Sequence, residues 1–119
     1  MDSIINGLLR IQQQLRILHW QTKSYARHKA YGKTYDELGD LIDEFMEVQM
    51  GKYGRFTLQD KAIPLENLEE ITVSDFIDDS IAFLTDLTNK VDPKDSDLLN
   101  IRDEMLAKMN RLKYLLTLK

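Results

Sequence analysis

The chain has 119 residues, 43% of them hydrophobic and 30% charged, with no Cys and a formal net charge of −4. Disulfides, thiolate catalysis and zinc–thiolate sites are therefore excluded, and an acidic balance without a basic tail argues against nucleic acid as a partner. No apolar run approaches the roughly 18 residues that span a bilayer.

The length fits a single domain over residues 1–119 with a modest core. Met1-Asp2-Ser3 leads straight into an amphipathic stretch, with nothing resembling a signal peptide. The default location is then the cytoplasm, and a viral protein of the host cytoplasm or virion would look the same.

Five Gly and two Pro, both Pro outside the periodic stretches, favour long helices over a β-sandwich. A first helix starts at Asp2 or Ser3, carries Ile4, Leu8, Ile11, Leu15 and Leu18 at the 3.6-residue period, and ends around Thr22 to Tyr25. A second runs from about Ala26 to Gly51 with Tyr31, Tyr35, Leu38, Ile42 and Phe45 inward, stopped by Gly51 and Gly54. Lys52 to Val73 form a long connection with Pro64, in which Leu65 to Ile71 fit one or two turns of helix. Thr72 or Ser74 caps a third helix with Phe76 or Ile77, Ile81, Leu84 and Leu87 inward. Asp92-Pro93 breaks the chain and starts a fourth, with Leu98, Ile101, Met105, Met109, Leu112 and Leu116 inward. Lys108, Arg111, Lys113 and Lys119 complement the negative end of its dipole. The fold expected is an all-α, ferritin-like four-helix bundle with a long connection between the second and third helices.

The second helix has another ordered face. At about 100° per residue, His28, Gly32, Asp36, Gly39, Asp43 and Glu47 project within roughly a quarter-turn, and Met46 joins them. A solvated face would also be charged, but it gains nothing from glycine, which costs about 1 kcal/mol relative to Ala inside a helix. The glycines instead suit close approach by another helix.

Asp43 and Glu47 stand at i and i+4, so both carboxylates can close on one cation. The chain's two His are His19, closing the first helix, and His28, opening the second. They lie side by side across the turn. Carboxylate oxygen with imidazole nitrogen suits iron, manganese or zinc. His28 and Asp43 are, however, about 22 Å apart along the helix at 1.5 Å per residue. One chain cannot bring both ligand sets to one ion. Two copies packed antiparallel about a two-fold axis can, with the axis around Tyr35 to Leu38, close to Asp36 and Gly39.

Leu18-His19-Trp20, His28 and Asp43-x-x-x-Glu47 together resemble the ferroxidase signature of the Dps proteins, the mini-ferritins. The segments Tyr25-Ala26-Arg27-His28-Lys29-Ala30 and Gly51-Lys52-Tyr53-Gly54-Arg55 look like a small viral branch of it. The resemblance implies Fe(II) binding and oxidation by peroxide or oxygen. His19 and His28 of one subunit would act with Asp43 and Glu47 of another, and Trp20 would be the aromatic beside one or two irons. It also implies a homo-oligomer through the second helix, a dimer or something larger such as a closed shell. The family usually has another Asp where this chain has Gly32, which leaves Asp36, one turn further on, as the candidate replacement. A rival expectation is a non-enzymatic assembly or host-interaction protein of the same fold. An oxygen-activating di-metal enzyme fits less well, because it needs carboxylates inside the bundle.

Overall fold

The computed structural model describes residues 1–60 and 62–118. It is an all-α four-helix bundle: α1 is Asp2–Gln21, α2 Tyr25–Tyr53, α3 Val73–Asp86 and α4 Ser96–Leu115, with a single 3-10 turn at Leu87–Asn89. No strand occurs among the described residues. At about 1.5 Å per residue the 29 residues of α2 account for the longest dimension of the molecule, 43 Å.

Each stripe read from the sequence faces the core. Ile4, Leu8, Ile11, Leu15 and Leu18 of α1 are all buried, as are Tyr31, Leu38, Ile42 and Phe45 of α2, while Tyr35 is half-buried. Leu98, Ile101, Met105, Met109 and Leu112 of α4 complete the core with Phe76, Ile77, Leu84 and Leu87. Each such side chain contributes about 1.5–3 kcal/mol through burial. Helix α1 packs on α2, α2 on α4 and α4 on α3. The Phe83 ring of α3 lies over Gly7 of α1 and closes the circle.

The helix ends differ from the sequence reading at both ends of α2 and at the start of α4, which begins at Ser96 rather than at Pro93. Helix α2 begins at Tyr25, because the Ser24 hydroxyl accepts from the Arg27 amide at 3.2 Å. It continues through Gly51, which has a helical environment, and stops only at Gly54, whose φ of 88° favours glycine. Met46 is buried and so belongs to the core rather than to the polar face.

Among its described residues the long connection carries only a turn near Leu68–Glu70, and it is held by α1 instead of by a helix of its own. Asp2, Asn6, Arg10 and Gln14 stand four residues apart on one side of α1. The Asp2 carboxylate accepts from the amides of Gln59 and Asp60, and the Asn6 amide donates to Asp60 O. Arg10 donates to Pro64 O at 3.2 Å, and Gln14 both donates to Glu66 O at 2.8 Å and accepts from its amide at 2.9 Å. Gln14 is 0% exposed, so both ends of its amide needed partners.

The basic residues near the C-terminus tie helices together. Lys108 and Arg111 reach Glu37 of α2 at 2.8 and 3.6 Å, and Lys113 reaches Asp78 of α3 at 2.8 Å. Lys119 lies outside the described residues. No helix among the described residues is long and apolar enough to cross a membrane.

Candidate metal centre

The α1–α2 hairpin puts His19, in the last turn of α1, beside His28, in the first turn of α2. Their imidazoles stack with centroids 3.9 Å apart and planes 15° apart. Each ring is held by the other's backbone: His19 Nδ1 lies 2.7 Å from His28 O, and His28 Nδ1 lies 2.8 Å from His19 O. A carbonyl oxygen can only accept, so each Nδ1 carries the proton. That leaves Nε2 as the nitrogen available to a ligand on both rings. Neither Nε2 has a protein partner among the described residues, and neither is sealed from solvent. Nearly parallel rings at this spacing cannot aim both in-plane lone pairs at one ion about 2.0–2.1 Å away. As stacked, the two rings cannot share one ion.

Gly32 and Gly39 make room inside the hairpin. A Cβ on Gly32 would stand 2.8 Å from Cε1 of His19, and one on Gly39 would stand 2.6 Å from the Gln12 amide nitrogen. The close approach they permit is therefore to side chains of α1 in the same chain. Trp20 is 62% exposed, with the Arg16 guanidinium 5.0 Å from its ring centroid. The same guanidinium lies 5.2 Å from the ring of Tyr35, and the Tyr25 ring lies 6.3 Å from that of His28.

At the other end of α2, Asp43 and Glu47 are exposed and, with Asp40, Glu44 and Val48, line an open concavity of about 570 Å³. Asp36 is exposed midway between the two ligand sets. Among the described residues no group of three or more His, Asp or Glu is placed to hold a metal ion within one chain. The structure thus brings His19 to His28 and keeps Asp43 beside Glu47, and a single unbroken α2 separates the two pairs.

A second polar cluster was not foreseen from the sequence. Lys52, at the end of α2, reaches Asp95 at 2.9 Å and Asp97 at 2.7 Å, and the Tyr53 hydroxyl donates to Asp95. The Tyr53 hydroxyl first, and then Lys52, hold the Asp95 carboxyl below its ordinary value, and Lys52 does the same for Asp97. The Asp95 bond in turn raises the Tyr53 hydroxyl, and the Asp97 and Asp95 bonds raise the Lys52 ammonium. Glu37 is lowered by its hydrogen bond to Lys108. These groups fasten α2 to the start of α4 and to its middle. The one sequence signal was an Asp pair next to the helix start after Pro93.

The chain belongs to the family described as Family of unknown function (DUF5856), whose model matches residues 19–116. It is similar to the uncharacterized 14.6 kDa protein in the mobD-ri intergenic region of Enterobacteria phage T4, at 46% identity over 54 residues. That stretch covers 45% of this chain and 42% of the phage protein, so the match spans less than half of the relative's length. No solved structure matches the chain. The resemblance to Dps mini-ferritins, and the ferritin-like kinship it carried, is thereby corrected: the matched family is a different one. The physical reason lies at Gly32. The space where the Dps pattern puts an Asp side chain is filled by the His19 ring. Asp-x-x-x-Glu, for its part, is a spacing that any charged helix face produces.

Proposed function

We propose that this member of the DUF5856 family binds divalent transition metal, iron foremost, at sites shared between two copies of the chain, and oxidises Fe(II) there. The observation that carries the reading is the reciprocal pair of Nδ1 bonds between His19 and His28, which fixes both tautomers with Nε2 outward. Metal-ligating histidines are oriented by such a bond at the other ring nitrogen. His19 and His28 of one copy would supply nitrogen; Asp43 and Glu47 of the other would supply oxygen, with Asp36 a further acidic donor near the axis. Zinc or manganese suits the same donors.

Carboxylates favour Fe(III) over Fe(II), which eases loss of the electron. With one ion per imidazole, two Fe(II) give the two electrons that, with two protons, reduce peroxide to two waters. Trp20, next in sequence to His19, would be the aromatic that relays an electron. The test is Fe(II) titration and peroxide-dependent absorbance of the wild type against His19→Ala/His28→Ala and Asp43→Ala/Glu47→Ala. Both double variants should lose binding; retention of full affinity by either would remove its residues from the site.

A second reading keeps the fold without the chemistry. It makes the protein a non-catalytic helical assembly module. Metal analysis of purified protein separates the two.

A further inference from the structure

Apart from Lys52, which pairs with Asp95 and Asp97, the exposed charges of α2 are sorted by sign. Lys29 and Lys33 come first, and Asp36, Asp40, Asp43, Glu44 and Glu47 follow, all of them exposed. At about 100° per residue they share an arc of roughly 100° on the side of α2 turned away from the core. Packed parallel on its own copy, such a stripe sets like against like. Packed antiparallel about a two-fold axis, it sets cations against acids.

Charge matching narrows the register to a few. Lys33 against Asp40 with Lys29 against Glu44 is centred between Asp36 and Glu37, Lys33 against Asp43 with Lys29 against Glu47 on Leu38, and Lys33 against Asp36 with Lys29 against Asp40 between Thr34 and Tyr35. His28, set against the midpoint of Asp43 and Glu47, selects the first. Tyr25, 73% exposed, then falls at the level of the half-buried Val48. In this chain Lys33 makes only a 3.9 Å contact with Glu37, and Lys29 has no carboxylate partner among the described residues. Both are available to another molecule.

We infer that two copies associate antiparallel through this stripe, with the two-fold axis between Asp36 and Glu37, and with Lys29 and Lys33 of each neutralising Glu44 and Asp40 of the other. The pairing uses both lysines and leaves Asp43 and Glu47 without a cation at the end where the other copy's histidines arrive. The inference deepens the shared-site reading by naming the face and register of its partner, and it rests on that reading for the choice among registers.

The test is charge reversal followed by mixing. Sedimentation of the wild type at micromolar concentration should show a dimer. K29E/K33E and D40K/E44K should each self-associate at least about tenfold more weakly, since like charges then face each other across the interface. Mixed one to one they should form a heterodimer, because every reversed contact becomes complementary again. That recovery also proves that both variants fold. A wild-type monomer, a reversed chain that dimerises as before, or helical reversed chains that fail to pair would each overturn the inference. A dimer of this register that binds no metal would leave it standing and remove the metal reading alone.

Discussion

The imidazole of His19 rests against the backbone of Gly32: a Cβ there would stand 2.8 Å from Cε1 and 2.9 Å from Nδ1 of the ring. Gly32→Ala should therefore separate stability from metal binding. Ala gains about 1 kcal/mol of helix propensity over Gly, so the helix content and unfolding temperature should hold. The ring must shift, and with it the bond from Nδ1 to His28 O. Metal affinity should fall about 10- to 100-fold, as when an orienting contact behind a ligand is lost. Calorimetric titration beside a thermal melt reads both, and unchanged affinity would show that the stacked geometry is not needed.

Complementation between chains tests where the ligands come from. In a pure heterodimer of a His19→Ala/His28→Ala chain with an Asp43→Ala/Glu47→Ala chain, one site loses all its ligands and the other keeps all of them. About half of the wild-type iron binding should survive, given the roughly 22 Å that separates the pairs along α2. A dead heterodimer would reject the shared site.

Near the inferred axis each Asp36 meets its own copy. Asp36→Asn removes that repulsion and should tighten the metal-free dimer about threefold or more, the scale of an exposed charge contact. Weaker association on sedimentation would move the axis elsewhere.

Acid should loosen the join between α2 and α4. The carboxyls of Asp95 and Asp97 are held below their ordinary value of 3.8. A carboxylate lowered on folding adds stability above its unfolded value, and that stability is lost as pH falls through the folded one. The unfolding temperature should therefore drop below about pH 4. Asp95→Asn should melt lower at neutral pH and show a shallower fall in acid. A melting curve with the wild-type acid slope would shift the role to other carboxylates.

At about 150 mM salt, where exposed charges are largely screened beyond roughly 8 Å, the protein should not retain DNA. Lys108, Arg111 and Lys113 of α4 are paired with Glu37 and Asp78, and Arg102 with Asp103. A gel-shift complex at low micromolar protein would contradict this.

What the sequence made legible was whatever has a period. The apolar stripes of α1, α2 and α4 follow from 3.6-residue spacing, and so does the adjacency of Asp43 and Glu47. The neighbourhood of His19 and His28 follows from a short turn between antiparallel helices. What stayed hidden depends on where one element meets another. Gly51 reads as a stop in one dimension but continues the helix, because the φ that needs glycine falls at Gly54. Gly32 and Gly39 read as a seam for a second helix, and only the packed structure shows His19 and Gln12 filling that space. The Dps resemblance rested on short patterns within two helices, and such patterns do not carry kinship through the rest of a chain.

The ladder on α1 has an evolutionary consequence. Asp2, Asn6, Arg10 and Gln14 grip backbone carbonyls and amides of the connection, and Gln21 accepts from the Leu68 amide in the same way; Arg10 also meets the Glu66 carboxylate and Gln21 the Asn67 side chain. A backbone offers those groups whatever residue stands there. Outside Glu66 and Asn67, and Leu58, Leu68 and Ile71, which pack on the core, the side chains of the connection are consequently free to drift among relatives while its path is retained. The selective constraint then falls on five polar positions of α1, of which Gln14 alone is fully buried.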